Sequence, residues 1–316
     1  MNPWTASRTA LATSLMRALH SRCDPAPLLS DTWGDRLVPE SVKSAFRHLA
    51  LERMNAAKSD FLPKGESFDS ALRSNAAYAD VIIRTRYAED ALREAVTRGI
   101  NQYVIVGAGF DSFAYRLPAW AEGLMIYEVD HPATQRLKRD RLTACGVSVP
   151  STVQFIEADL SVESLGTALS RSSYRTDRAV FFSWLGVTMY LTREANLNTL
   201  RAIAACTSAA SELVFTYLDE AALGPGHAAD EAFHRLKAEV SAAGETFLSG
   251  FDPHTLHDLL SATGLLLLED LDGHQAVARY DPAGLNALRS AAAAHIVHAR
   301  ARVPSAAVEQ AKSIST

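Results

Sequence analysis

The sequence predicts an α/β fold with a doubly wound, mostly parallel sheet. After about residue 100, short apolar runs alternate with amphipathic helical segments, and repeated βα units of this size form a parallel sheet with helices on both faces. The strand candidates in this region are residues 103–106, 124–130, 153–159, 179–186 and 212–218. Two further candidates, 265–271 and 276–280, flank Asp272-Gly273, a spacing that predicts a terminal antiparallel hairpin.

The first 100 residues are predicted to be helical. Leu11, Leu15 and Leu19 follow one another every four residues, as on the buried face of an amphipathic helix. The chain therefore divides into a helical N-terminal segment at 1–100, an α/β core at 101–300 and a small polar tail at 301–316 that is expected to fray. A helical insertion is expected within the core at about residues 220–245.

The composition argues against several classes of function. With 316 residues and 21% charged residues, the chain has the composition of an ordinary globular protein. Its net charge of -5 provides no basic surface for binding nucleic acid. No apolar stretch approaches the roughly 20 residues that span a bilayer. Cys23, Cys145 and Cys206 are far apart and odd in number, which argues against a disulfide framework and suits a reducing cytoplasm. The histidines are scattered, so no metal site is predicted, and the oligomeric state stays open.

The first predicted strand ends in a glycine turn, Gly107-Ala108-Gly109, which lets a ligand approach the backbone. Nicotinamide, flavin and adenosyl-sulfonium cofactors all bind over such turns. A dinucleotide fingerprint would place a third glycine at position 112, which is Ser112 here. Asp111 is predicted at the N-terminus of the next helix, where its carboxylate would repel a pyrophosphate but attract a sulfonium and an ammonium group. The turn therefore favours S-adenosylmethionine over NAD.

Acidic residues follow the next two strands, and in a doubly wound sheet ligands bind at the carboxyl ends of the strands. Asp130 is placed to accept both ribose hydroxyls of a nucleoside, although NAD enzymes also carry an acid there. Asp159 is placed to accept from an adenine amino group, and Leu160 to cover the ring face. Three successive strand ends thus predict one nucleoside-binding edge.

Several segments together resemble one known family. "QYVIVGAGFDSFAYRL", "YEVDHP", "ADL", "WLGVTMYLTREA" and "GETFLSGFDPHTLHDLLSATGL" look like the leucine carboxyl methyltransferase family, and more closely its bacterial branch that modifies small molecules. The resemblance runs from about Arg8 to Arg300. It implies the Rossmann-like class I methyltransferase fold, seven strands with the last two antiparallel, and S-adenosylmethionine as methyl donor. It also implies that the N-terminal helices form a lid over the substrate.

The resemblance assigns roles to particular residues. Gly107 and Gly109 would line the methionine part of the cofactor, Asp130 would hold the ribose, and Asp159 with Leu160 would hold adenine. Arg84 in "IIRTRY" would pair with the cofactor's carboxylate, with Arg86 as the alternative if the register differs by two. Members that methylate the phosphatase tail have a glutamate where this chain has Leu185, which disfavours a phosphatase substrate and leaves open what replaces that contact.

The methyl acceptor determines whether a base is needed. A carboxylate acceptor needs only a cationic or hydrogen-bonding clamp, whereas a hydroxyl needs a general base, most often histidine. The candidates are His227, His234, Tyr190 and Tyr217, and none is assigned. The expected function is methyl transfer to a carboxylate or hydroxyl oxygen of a small molecule, with secondary metabolism as the setting by resemblance. The alternatives are transfer to carbon or nitrogen, an NAD-dependent oxidoreductase, and a non-catalytic cofactor-binding protein.

Overall fold

A single mixed sheet of seven strands organises the molecule. The computed structural model describes residues 8–56, 68–208, 210–224, 231–242 and 245–302. The strands are β1 Gln102–Val106, β2 Met125–Asp130, β3 Val153–Glu157, β4 Val180–Trp184, β5 Glu212–Leu218, β6 Leu265–Asp272 and β7 Ala294–Ala301. Their order is β3-β2-β1-β4-β5-β7-β6; the first five strands pair in parallel, and β7 pairs antiparallel with both β5 and β6. The doubly wound, mostly parallel sheet with a terminal antiparallel pair is confirmed.

The predicted hairpin at Asp272-Gly273 is wrong, because residues 276–280 belong to a helix. Asp272 caps that helix: its side chain accepts from the backbone N–H of Gln275, and the Gln275 side chain accepts from the backbone of Asp272. This reciprocal capping box satisfies two backbone donors that a strand would have used differently. The seventh strand lies further along the chain, and it inserts between β5 and β6.

The helices cover both faces of the sheet. They are α1 Arg8–Cys23, α2 Trp33–Leu37, α3 Glu40–Ala56, α4 Phe68–Arg73, α5 Tyr78–Thr97, α6 Pro132–Ala144, α7 Leu165–Leu169, α8 Arg193–Ala205, α9 Glu220–Leu223, α10 Glu231–Ala242, α11 Leu256–Thr263 and α12 Gly273–Tyr280. Side chains alternate between the faces along each strand. In β5, Val214 packs in the cluster with α1, α5 and α12, whereas Phe215 packs in the cluster with α7, α8 and α11.

The N-terminal helices are built into the first of these clusters. Leu11, Leu15 and Leu19 are buried, as their spacing predicts. The buried side chain of Arg17 also fastens α1 to the rest of the fold. Its Nε donates to Asp31 at 2.8 Å, and its Nη2 donates to the carbonyl of Phe110 at 2.7 Å. Helix α1 is therefore tied directly to the loop that follows β1, at the edge where the cofactor was predicted.

The region predicted as a helical insertion contains α9 and α10 between β5 and α11. Across the described ranges, no helix combines the length and apolarity needed to cross a membrane. Within the same ranges, no cluster of three or more histidine, cysteine or acidic side chains is arranged to hold a metal ion.

Candidate cofactor and acceptor site

The glycine turn after β1 has the backbone that the sequence suggested. Gly107 has φ +70°, and a Cβ built there would lie 2.4 Å from Cγ2 of Val187. Both the left-handed backbone and the lack of space require glycine at this position. The loop after the neighbouring strand β4 supplies Val187, so the carboxyl ends of β1 and β4 meet over this turn.

Asp111 does not begin a helix, and this part of the prediction is wrong. A short 3-10 turn, Phe113–Tyr115, follows it, and Oδ1 of Asp111 accepts from the N–H of Phe113 at 2.8 Å. The neighbouring Ser112 is fully buried, and its hydroxyl donates to Asp31 at 2.6 Å. The third glycine of a dinucleotide fingerprint is absent because this position anchors the loop to the N-terminal helices.

Asp130 reaches from the end of β2 to the glycine turn. Its Oδ2 accepts from the N–H of Gly109, and its Oδ1 accepts from the N–H of His131 at 2.6 Å. Burial raises the pKa of Asp130 above its usual value, although these two amide donors act in the opposite direction. Each carboxylate oxygen keeps a second lone pair, so the group can still accept hydrogen bonds from a ribose.

A buried ion pair links strand β2 to helix α6. Nζ of Lys138 donates to Oε2 of Glu128, and both side chains are almost completely excluded from solvent. Burial raises the pKa of Glu128 to about 7, with Lys138 opposing that change. The pair is inside the fold and does not face solvent.

Asp159 lies at the next strand end, as predicted. Its Oδ1 accepts from the N–H of Ser161 at 2.9 Å and from the Ser161 hydroxyl at 2.6 Å, and these bonds lower its pKa. Its Oδ2 lies 4.0 Å from Nε2 of His131. Leu160 is half-buried against the cluster of α7, α8 and α11. Asp130 and Asp159 thus flank His131 on one edge of the sheet.

Arg84 projects from α5 toward the loop after β4. A Cβ built at Gly186 would lie 2.5–2.7 Å from three guanidinium atoms of Arg84. Within the described part of the chain, this guanidinium makes no hydrogen bond and no ion pair, and burial lowers its pKa. Arg86 is different: it binds both carboxylate oxygens of Asp90 at 2.9–3.0 Å and the carbonyl of Leu28 at 3.0 Å. Arg84 is therefore the arginine available to an anionic ligand.

A cavity of about 350 Å³ begins beside Arg84 and Gly186. Helices α1, α3, α4, α5, α10 and α12, the 3-10 turn Thr188–Tyr190, the end of β5 and the start of β7 contribute to its wall. Much of the wall is apolar, with Met16, Phe46, Phe68, Leu72, Met189, Leu236 and Phe247 among its members. The polar members include Thr9, Asp80, Tyr190 and Glu239. The N-terminal segment thus contributes a large share of the enclosure.

The four candidates for a base are in different environments. Tyr190 lines the cavity, and burial raises its pKa, with the nearby Glu245 acting in the same direction. Tyr217 packs with α8 and α11: its ring stacks on His295 with 4.6 Å between centroids, and its hydroxyl donates to Asp270 at 2.8 Å. Tyr217 also contributes to the cavity lining, although its side chain is buried and both of its polar contacts are made inside the core.

Neither His234 nor Leu185 contributes a reactive group to the cavity wall. His234 is exposed on α10 and does not line the cavity, and His227 lies outside the described residues. Leu185 is half-buried and packs against the cluster of α1 and α5, so this position contributes an apolar contact and no carboxylate. The sequence reading missed Gly186, Thr9 and Glu245. Only Gly186 carried a local signal, because it follows directly on an apolar strand as Gly107 does.

A glycine turn, carboxylates at successive strand ends and an arginine that has no hydrogen-bond partner among the described residues, beside a cavity, fit an S-adenosylmethionine-dependent methyltransferase. The chain belongs to the leucine carboxyl methyltransferase family, whose profile matches residues 10–204. The predicted resemblance is confirmed, and so is the cofactor.

Named relatives support the same class of enzyme, and a solved structure supports the fold. YktD of Bacillus subtilis, named as an S-adenosyl-L-methionine-dependent methyltransferase, is 28% identical over 269 residues, which cover 84% of this chain and 88% of YktD. A similarly named protein of Mycobacterium tuberculosis, Rv3399, is 31% identical over 66% of this chain and 56% of its own length. The structure of a Thermobifida fusca protein described as a methyltransferase shares the fold, with a TM-score of 0.53, 14% identity, and coverage of 92% of this chain and 95% of that one.

Proposed function

We propose that this methyltransferase transfers its methyl group to an oxygen of a small molecule, either a carboxylate or a hydroxyl, in secondary metabolism. The observation that carries the proposal is the cavity of about 350 Å³ that begins at Arg84. Pockets for small molecules start at about this size, and they are mostly apolar with a few polar groups. Helices α1, α4 and α10 contribute to the lining, and a mostly apolar wall of this kind suits a small molecule.

The residues around the strand ends fit the cofactor. Among the described residues nothing pairs with the guanidinium of Arg84, which suits a planar carboxylate. Gly107 and Gly109 leave room over the turn for the methionine part, and Asp130 has lone pairs for the ribose hydroxyls. Asp159 and Leu160 lie one strand further, where adenine would bind. These assignments are part of the proposal.

The bound cofactor supplies an electrophilic methyl group on a sulfonium. The protein's contribution is to hold the acceptor oxygen in line with that methyl group and to keep water away, since positioning and a dry site provide much of the acceleration of such a displacement. The apolar wall supplies the dry surroundings. The helices of the N-terminal segment line the cavity and would therefore help to select the acceptor. The three free cysteines suit a reducing compartment, and we place the activity in the cytoplasm.

Calorimetry and product analysis test the proposal. Titration with S-adenosylhomocysteine should show binding at micromolar concentrations, with NADH as the negative control. The protein is then incubated with cofactor carrying a CD3 group and a panel of small phenols, carboxylic acids and amines, and the products are read by mass spectrometry. Label on oxygen supports the proposal. Label only on nitrogen or carbon would replace it with the alternative reaction.

A further inference from the structure

We propose that Arg17 is a positioning residue for the cofactor, because it fixes the turn after β1 to helix α1. The inference rests on the proposed binding of the cofactor over Gly107 and Gly109, and it makes α1 a part of the cofactor site as well as a wall of the cavity. Two sets of contacts carry it: the packing of Ala10 on the turn, and the hydrogen bonds of Arg17.

Two neighbouring faces of α1 meet two different parts of the site. Ala10 and Arg17 are seven residues apart and therefore lie on one face of the helix. A Cβ built on Gly109 would lie 3.0 Å from the Cβ of Ala10, so this face packs on the glycine turn itself. Thr9 and Met16, again seven residues apart, line the cavity from the adjacent face. The helix is thus a wall that the turn and the cavity share.

Arg17 holds the residue that follows Gly109 in the turn. Its Nη2 donates to the carbonyl oxygen of Phe110 at 2.7 Å, and its Nε donates to Oδ2 of Asp31 at 2.8 Å. The side chains of Arg17 and Asp31 are 8% and 0% exposed, so both bonds are made away from solvent. The hydroxyl of Ser112 donates to the same oxygen of Asp31 at 2.6 Å. The turn is therefore attached to α1 directly through Phe110 and indirectly through Asp31.

The carboxylate of Asp31 is ionised in this buried position. Burial acts to raise its pKa, but Arg17, Arg116 and the hydrogen bond from Ser112 outweigh that effect and lower the pKa below its ordinary value. Arg116 also pairs with both carboxylate oxygens of Glu89 on α5. The planar fork of an arginine can serve the Asp31 carboxylate and a carbonyl oxygen at once, which a single ammonium group does less well.

The position of Phe110 matters for the cofactor because Gly109 precedes it directly. Asp130, the proposed partner of the ribose, accepts from the N–H of Gly109. A shift of this segment therefore moves the amide that orients Asp130, together with the backbone over which the methionine part is proposed to bind. Arg17 acts on the cofactor through the turn, and this makes it a positioning residue.

Arg17→Met tests the inference, with Leu19→Ala as the matched control on the same helix. Leu19 is fully buried but lies two residues after Arg17, so its side chain points to the other side of α1. Both variants should lose stability in urea unfolding. S-adenosylhomocysteine is then titrated by calorimetry well below each unfolding temperature, where the protein is folded and its stability does not affect the affinity. Arg17→Met should bind about fivefold or more weakly, and Leu19→Ala should bind like the unaltered protein.

Arg17→Lys provides a second test that holds even if Arg17→Met does not fold. It keeps a positive charge beside Asp31 but loses the planar fork, so its affinity for S-adenosylhomocysteine should be intermediate. Deuterium exchange gives a local readout on the unaltered protein. Bound S-adenosylhomocysteine should slow exchange in residues 8–16 of α1 more than in α11, which lies on the other face of the sheet and reports general stabilisation. Equal protection of the two helices would overturn the inference.

Asp130→Ala separates a failure of this inference from a failure of the proposed cofactor site. Unchanged affinity in the folded Arg17 variants, or an equal loss in Leu19→Ala, would overturn the role of Arg17. If Asp130→Ala alone weakens binding, the cofactor site stands and the role of Arg17 is wrong. If none of these variants weakens binding, the cofactor does not lie over this turn, and both proposals are wrong.

Discussion

Gly186→Ala should act on cofactor binding through the side chain of Arg84. Gly186 has φ +69°, and its added methyl group would lie within 2.5–2.7 Å of the Arg84 guanidinium. Such distances are too short for real atoms, so the guanidinium has to move. The arginine is a flexible side chain, and the fold itself can therefore survive the substitution.

The substitution has two separate costs, one in folding free energy and one in the free energy of cofactor binding. An alanine in the left-handed backbone conformation costs about 1–2 kcal/mol of folding free energy. Displacement of Arg84 removes hydrogen bonds to a charged group, which are worth about 1.5–3 kcal/mol each in net terms. Because 1.4 kcal/mol corresponds to a factor of ten, the affinity for S-adenosylhomocysteine should fall roughly tenfold to a hundredfold.

Gly123→Ala is the matched control for the backbone cost. Gly123 also has a left-handed φ, +82°, but a Cβ there meets nothing within 4 Å. Both variants should lose similar stability in urea unfolding, and only Gly186→Ala should lose affinity in calorimetric titration. Equal affinity in the two variants would refute the assignment of Arg84 to the cofactor's carboxylate.

Three further predictions concern the strand edge, the pH dependence and the N-terminal helix. Asp130→Ala should weaken S-adenosylhomocysteine binding by about 1.5–3 kcal/mol in calorimetry, and unchanged affinity would place the ribose elsewhere. Although burial acts to raise the pKa of Glu212, His298 and Arg98 lower it from 4.5 to about 2, so its stabilisation should be complete above the unfolded-state pKa and disappear as the pH falls toward 2. Glu212→Gln should flatten that part of the stability profile, and an unchanged profile would contradict this account. Leu19→Ala, at a side chain with 0% exposure, should lower the free energy of unfolding by about 2–5 kcal/mol in urea titration, and a negligible change would show that α1 does not belong to the core.

The N-terminal helices are both part of the core and part of the cavity wall. Leu15 and Leu19 are buried in the cluster that α5 and the sheet share, and Thr9 and Met16 line the cavity from the same helix. Removal of residues 1–60 would therefore expose the core as well as open the site. Single substitutions in the lining are the better probe of acceptor choice.

The sequence patterns that gave correct predictions were local ones. A glycine turn, an acid at a strand end and the alternation of strands and helices each occupy a few consecutive residues, and their meaning follows from backbone geometry. Gly107, Asp130 and Asp159 could be placed for that reason, before any contact was known. The strand at 294–301 was missed because its histidines and arginine interrupt the apolar pattern, and the segment 276–280 was read as a strand although Asp272 and Gln275 cap a helix.

The sequence by itself thus determined the doubly wound sheet, the family and the cofactor, and it predicted at which strand ends that cofactor binds. Only the tertiary structure decided that Arg84, rather than Arg86, has no ion-pair partner in the described part of the chain, because Asp90 lies one helical turn beyond Arg86 and neutralises it. It also decided that Glu245 meets Thr9, a contact that spans 236 positions in the chain. Contacts between residues so far apart depend on how helices pack, and that packing follows from the whole core rather than from any short stretch of sequence.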